Sequence, residues 1–202
     1  MKLLPDSIKN FLINRLFELG GVSSAILSFF ILVSIISYSS FDPNIYNYNN
    51  HEIVNMGGYY GANTSEVLLQ FFGYSSLLIS VVLISWSYKL FFTKNLKLFA
   101  LNLFILPFTV FCLSFVFEFI GASMANGFIA EQLMALVHDN NFVDSQLKYF
   151  SFLIALILLF LSLLYFSLGL SNDEWREMIK FLIKQIKNVS FYIIKKLTSK
   201  RE

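Results

Sequence analysis

The chain has 202 residues, of which 56% are hydrophobic and only 14% charged, and its formal net charge is +2. Soluble domains carry about 25% charged residues, so this composition excludes an ordinary soluble globular protein. Charged residues are absent from four long windows of the sequence, each long enough for the roughly 20 apolar residues that cross a bilayer as a helix. We therefore predict an all-α, polytopic integral membrane protein with spans at about residues 20–39, 67–88, 98–119 and 149–170.

The basic residues are distributed unevenly among the segments that flank these spans. All but one of the 15 Lys and Arg residues fall in the N-terminal segment 1–18, the loop 89–97 or the tail 173–202. Because Lys and Arg are retained on the cytoplasmic side of a membrane, we expect both termini to be cytoplasmic. The outer loops are then residues 40–66 and 120–148, in which Lys148 is the one basic residue.

The first outer loop contains two local signals, Asp42-Pro43 and the glycine-rich stretch "NMGGYYGA" of residues 55–62. A residue that precedes proline avoids the helical conformation, so Asp42-Pro43 is expected to end the first helix. The stretch holds four small residues that permit positive φ angles and close backbone approach: Gly57, Gly58, Gly61 and Ala62. We interpret the stretch as a tight structural turn in preference to a helix-dimerisation site.

The third span and the second outer loop contain three further features of the sequence: a cysteine, a carboxylate near the end of a span and an amphipathic segment. Cys112 is the single cysteine and is expected to be a small packing residue. Glu118 lies close to the outer end of its span, so we favour an interfacial carboxylate over an ion or proton site. The segment "FIAEQLMALV", residues 128–137, has apolar residues at helical spacing and predicts a short helix on the outer membrane face.

The tail, residues 173–202, predicts a basic amphipathic cytoplasmic helix. Ser171 or Asn172 is the expected cap, and the acidic Asp173 and Glu174 follow in the first turn. Basic residues alternate with apolar residues that recur at helical spacing: Trp175, Ile179, Leu182, Ile183 and Ile186. Contact with anionic lipid is the favoured use of this helix, while nucleic-acid binding and a lead into another domain stay open.

Sequence motifs for catalysis are missing from these residues. The sequence contains no phosphate-binding loop, H-E-x-x-H, C-x-x-C or G-x-S-x-G pattern. The two histidines, His51 and His138, lie in different loops, where an isolated histidine is usually solvated. We therefore predict no catalytic, cofactor-binding or metal-binding residue, no cofactor and no enzymatic activity in this chain.

Three stretches of the chain carry a resemblance to a known family. The first span ends in "SYSSFDP" and is followed by "NMGGYYGANTSEVLLQFFGYSSLL", and the fourth ends in "LGLSNDEW". This order closely resembles the N-terminal membrane domain of the FtsK/SpoIIIE DNA translocases. The matching positions are Asp42, Pro43, Asn55, Gly57, Gly58, Gly61, Ala62, Gly73, Gly169, Leu170, Ser171, Glu174 and Trp175.

The resemblance implies a membrane anchor at the bacterial division septum, acting in cell division and chromosome segregation. In that family the membrane domain is followed by a long linker and a cytoplasmic hexameric ATPase that moves DNA. The implied partners are the lipid bilayer, membrane proteins of the division machinery and further copies of the chain, with DNA reached only through the motor. The sequence stops at Glu202 before any linker or motor, so we expect a fragment, a split gene product or a stand-alone anchor.

Two other functions remain open at this point: a small subunit of a transporter or respiratory complex, and a membrane scaffold unrelated to division. A transporter is expected to show broken helices or polar groups that converge in mid-membrane. The polar residues within the predicted spans are mainly serines, which more often pack helices together. A neighbouring reading frame that encodes a Walker-type motor would favour the translocase anchor.

Overall fold

The computed structural model describes residues 5–48, 50–94, 99–122, 127–139 and 145–198. The described residues form helices and connecting turns and contain no strand, which confirms the all-α prediction. There are seven α-helices in this part of the chain: α1 (Asp6–Ile36), α2 (Gly58–Phe72), α3 (Leu77–Tyr88), α4 (Phe99–Phe119), α5 (Phe128–Asp139), α6 (Gln146–Leu168) and α7 (Asn172–Thr198).

Four helical stretches are long and apolar enough to cross a membrane, as the sequence predicts. They are Ser7–Ile36, Gly58–Thr93, Phe99–Phe119 and Gln146–Leu168. Many of their large apolar side chains are exposed, among them Phe29, Phe104 and Leu158, which are 62–68% exposed. An apolar surface of this extent is typical of contact with lipid.

The first helix differs from its prediction at both ends. Helix α1 begins at Asp6, so most of the predicted N-terminal segment continues the span as helix. At about 1.5 Å per residue, its 31 residues reach about 46 Å, which exceeds the roughly 30 Å hydrocarbon core. Helix α1 ends at Ile36, before Pro43, so the prediction that Asp42-Pro43 ends it is wrong.

The second membrane stretch is broken, whereas the sequence pattern predicts one helix over residues 67–88. Gly73 has a φ of +61°, and residues Gly73–Ser76 form a 3₁₀ turn between α2 and α3. The Ser75 hydroxyl donates to the Phe72 carbonyl, and the Ser76 hydroxyl donates to the Gly73 carbonyl. Carbonyl groups at the break are therefore satisfied locally, as an apolar environment requires.

Helix α1 packs at close range against α3 and against the π-helical turn Lys89–Thr93 that follows it. The Ser28 hydroxyl donates to the Ser80 carbonyl across 2.8 Å. A Cβ atom at Gly21 would lie 2.9 Å from both the Cβ atom and the backbone nitrogen of Phe91. Small residues allow backbones to approach in this way, and hydroxyl groups then bond across the helix pair.

Helices α4, α5 and α6 form a second packed group. Its core is apolar and includes Cys112 together with Phe115, Val116, Phe119, Ala130 and Leu156. The prediction of a short helix at residues 128–137 is confirmed, and Ala130 of this helix is fully buried in the core. The apolar residues of α5 (Leu133, Met134 and Val137) cover this core.

The chain divides into two compact units, Met1–Gly169 and Leu170–Glu202, and α7 belongs to the second. In this unit the Ser171 hydroxyl caps the Glu174 backbone N–H, and the Glu174 carboxylate accepts from the Ser171 N–H at 2.6 Å. These reciprocal bonds form a capping box, which fixes where the helix begins. Of the two caps expected from the sequence, Ser171 is therefore the one that the structure uses.

Candidate functional site

Most family-motif positions of the first loop lie together where α1 ends and α2 begins. We call this group the Asp42 cluster, and it consists of Ser34, Asp42, Asn55, Gly57, Gly61 and Ser65. Gly57 is half-buried and the other five are buried. Helix α1 supplies Ser34, α2 supplies Gly61 and Ser65, and the connecting loop supplies the rest.

Asp42 ties the start of this loop to its end. The side chain is 1% exposed, and its two carboxylate oxygens accept from the backbone N–H groups of Val54 at 2.8 Å and Asn55 at 2.9 Å. A buried carboxylate is costly unless such partners satisfy it. The requirement for an acid at this position is therefore explained by loop closure.

Asn55 joins the loop to both helices through its side-chain amide. The amide nitrogen donates to the Ser34 carbonyl of α1 at 2.8 Å and to the Ser65 hydroxyl of α2 at 3.3 Å. The amide oxygen accepts from the Gly57 N–H at 2.9 Å. Both ends of the amide are therefore used, and a shorter or apolar side chain would leave several polar groups unpaired.

The glycines of "NMGGYYGA" have two different structural roles. A Cβ atom at Gly61 would lie 2.3 Å from the Asn55 side-chain oxygen, and one at Gly57 would lie 2.8 Å from the Ser34 hydroxyl. Gly58 has open space around it but a φ of +62°. Close approach thus explains Gly57 and Gly61, and positive φ explains Gly58 alone.

The first outer loop is shorter in the structure than the predicted range 40–66, because α2 begins at Gly58 and residues 58–66 are helical. The Gly58 N–H donates to the Asn55 carbonyl at 2.9 Å, so the turn leads directly into the helix. Gly57 and Gly61 show the spacing of small residues that favours helix association. Here the two glycines lie against Asn55 of the loop and Ser34 of α1 within one chain.

A second group of polar residues, next to the Asp42 cluster, fixes the rest of the loop. The Tyr38 hydroxyl donates to the Glu66 carboxylate at 2.9 Å, and the Asn44 amide donates to the same oxygen at 3.3 Å. Burial and this hydrogen bond raise the pKa of Tyr38, which lies beyond the end of α1, to about 12. The tyrosine therefore remains a donor at any physiological pH.

The second set of family-motif positions also builds helix ends. Gly169 has a φ of +63° and ends α6, with its N–H bonded to the Phe166 carbonyl at 3.1 Å. The carbonyls of Ser167 and Leu168 accept from the Trp86 indole at 2.8 Å and the Ser85 hydroxyl at 2.9 Å. In the second unit, the Ser171–Glu174 capping box begins α7, with Trp175 in its first turn.

The remaining sequence candidates do not come together. Cys112 is buried among apolar residues of α4 and α6, and His51 is exposed. The side chain of His138 lies outside the described residues. Glu118 and Glu131 line a cleft of about 540 Å³ beside Tyr149. Within the described ranges no three His, Cys, Asp or Glu side chains are grouped as metal ligands would be.

The chain matches a known protein family over most of its length. Residues 14–183 match the family model described as the 4TM region of DNA translocase FtsK/SpoIIIE. The chain belongs to this family. The match begins in α1, ends within α7 and contains every family-motif position named above, so the FtsK/SpoIIIE resemblance of the sequence is confirmed. No solved structure matches the chain.

Several residues that build the FtsK/SpoIIIE-type loop were not singled out by the sequence analysis. Ser34, Ser65 and Asn44 carry hydrogen bonds that hold the loop to α1 and α2. For Ser34 the sequence offers a signal, since small polar residues in apolar spans often mark helix contacts, whereas Ser65 falls in the predicted outer loop 40–66. Asn44 gave no signal of this kind, because asparagine is common in any loop.

The contribution of the buried Asp42 carboxylate to stability can be tested with two substitutions at this residue and one control. Asp42→Ala removes the acceptors of two backbone N–H groups and is expected to lower the free energy of unfolding by about 3 kcal/mol. Asp42→Asn keeps one acceptor oxygen and should lower the free energy of unfolding by about half as much as Asp42→Ala does. Glu52→Gln, at an exposed acid of the same loop, should change stability by less than about 0.5 kcal/mol. Thermal unfolding in detergent compares the three, and equal midpoints would contradict the role of Asp42.

Proposed function

We propose that this chain is the membrane anchor of an FtsK/SpoIIIE-type DNA translocase, and that it places the translocase at the division septum for cell division and chromosome segregation. The observation that carries the proposal is the family match over residues 14–183. The Asp42 cluster supports it, because the motif residues that the chain shares with the family hold two membrane helices together. An anchor needs a rigid membrane body of this kind.

In this function the chain holds the translocase in place, and a motor domain carries out ATP hydrolysis. We propose that it lies in the bacterial inner membrane with both termini in the cytoplasm, where α7 leads toward the motor. The 202 residues themselves hydrolyse no ATP, and DNA is reached only through the motor. Membrane proteins of the division machinery and further copies of the chain are the proposed partners in the bilayer.

The anchor function can be tested with a chimaera in the native host. Residues 1–202 are joined to the linker and motor of an FtsK/SpoIIIE-type translocase, and the control joins the same motor to an unrelated anchor with four spans. We expect the first chimaera to collect at septa and to support chromosome segregation, and the control to spread over the membrane. Equal distributions would contradict the septal function of this chain.

The orientation gives a separate prediction, because nearly all Lys and Arg residues flank the spans on one side. Reporters that are active only outside the cytoplasm should give a signal when they are inserted near Asn49 and near Asn140. They should give none near Thr93 or after the C-terminus. Activity at Thr93 would overturn the proposed topology, whatever the signal at the other positions.

A transporter subunit is the second candidate, and the break at Gly73–Ser76 is the observation that favours it, since broken helices are frequent in transporters. At this break, however, the hydroxyls of Ser75 and Ser76 bond to carbonyls of the chain itself. No charged residue occurs from Val67 to Tyr88. Ion- or solute-dependent currents in liposomes that contain the purified chain would support this candidate, and their absence would favour the anchor.

A further inference from the structure

We propose that α7 is a membrane-surface helix that binds anionic lipid headgroups. Only residues 169–171 separate α7 from α6, which is long and apolar enough to span a membrane. The chain therefore leaves the bilayer directly into this helix of 27 residues. The lipid contact requires no septal placement, so it can be tested independently of the anchor function.

One face of α7 is apolar and open to its surroundings. Successive residues of a helix are rotated by about 100°, which places Ile179, Ile183 and Ile186 on one face together with Trp175. The three isoleucines are 48%, 48% and 65% exposed. An exposed apolar stripe of this length indicates a surface that is covered in the membrane-bound protein.

Basic residues follow one edge of this apolar face. Arg176, Lys180 and Lys187 project between it and the polar side of the helix, and all three are exposed. From Met178 to Thr198 the sequence has five lysines and no acidic residue. A cation at the edge of an apolar face can extend its charge to the headgroups while its stem stays on the acyl chains.

The combination of the two features favours a lipid surface over nucleic acid. Phosphates of DNA would pair with the cations but would leave the isoleucine face in water. An anionic bilayer matches both, because the apolar face enters the headgroup boundary and the lysines meet negative lipid. The acidic residues Asp173, Glu174 and Glu177 lie in the first turns of α7, where negative charge stabilises a helix N-terminus. Every charged residue of α7 after Glu177 is basic.

Hydrogen exchange of the full chain in nanodiscs tests the lipid contact. We expect the backbone amides of residues 178–188 to be protected in discs with anionic lipid and to exchange faster in discs of zwitterionic lipid alone. Each lysine near an anionic surface is expected to contribute about fivefold to binding. The double substitution Lys180→Gln/Lys187→Gln should therefore reduce the protection by about 25-fold, whereas Lys180→Arg/Lys187→Arg should retain it.

A second pair of variants tests the apolar face. Phe181 lies on the side of α7 opposite the isoleucines and is 58% exposed. Ile183→Ser should abolish protection in anionic discs, and Phe181→Ser should leave it unchanged. Equal protection in both kinds of disc, or protection that appears only when duplex DNA is added to zwitterionic discs, would overturn the proposal.

Discussion

Gly127→Ala is expected to lower the free energy of unfolding by about 3 kcal/mol, a large effect for the addition of one methyl group. A Cβ atom at residue 127 would lie 2.1 Å from the carbonyl oxygen and 2.3 Å from the carbonyl carbon of Phe71. These are backbone atoms in the last turn of α2, so they cannot rotate away. The start of α5 would have to separate from α2 and from Ser114, whose hydroxyl accepts the Gly127 N–H at 3.1 Å.

The control for this substitution is another glycine that becomes alanine within the same chain. Gly20 lies in α1, and its added Cβ atom would meet only the Leu90 side chain, at an ordinary contact distance of 3.6 Å. Because alanine is the better helix former, Gly20→Ala should be neutral or slightly stabilising. Thermal unfolding in detergent compares the variants, and equal midpoints for Gly127→Ala and Gly20→Ala would show that α5 does not pack at the helix break.

Gly61→Val is expected to have an effect of similar size, about 3 kcal/mol, through the Asp42 cluster. The new Cβ atom would meet the Asn55 side-chain oxygen at 2.3 Å and the Ser34 hydroxyl at 3.0 Å. Asn55 could move only by giving up its bonds to the Gly57 N–H and the Ser34 carbonyl. In cells, the variant should therefore show a lower steady-state level.

Two variants in the same segment separate the clash from other effects. Gly58→Ala meets no atom within 4 Å but forces a residue with a Cβ atom into positive φ, at a cost of about 1–2 kcal/mol. His51→Ala lies at an exposed position and should be nearly silent. If Gly61→Val behaved like wild type while His51→Ala abolished function, the loop would be a chemical recognition surface and the structural explanation would be wrong.

Much of the architecture could be predicted from the sequence, because hydrophobic length is a local property. The four spans, the helix at residues 128–137 and the amphipathic α7 all follow from composition and spacing, and the structure contains them. The ends of the helices were harder to predict. Helix α1 continues to Asp6 through residues that hydropathy places outside the membrane, since a helix need not end where the apolar run ends.

The break after α2 and the packing of α5 could not be predicted, because both depend on contacts between distant residues. Nothing in "FFGYSS" distinguishes a helical glycine from one with φ of +61°. The left-handed turn at Gly73 accompanies a contact between Phe71 and Gly127, residues far apart in sequence. Likewise, the motif pattern contains Asp42 and Asn55, but only the structure shows that the two residues bond to each other and that Asn55 bonds to α1.

The most direct test of the anchor function is the distribution of the chain itself in dividing cells. A fluorescent fusion of residues 1–202, at its natural expression level in the native host, should concentrate at the division site as constriction begins. Gly61→Val should reduce this band, and Gly20→Ala should leave it unchanged. An even distribution of the wild-type fusion around the envelope throughout the cell cycle would contradict the septal anchor.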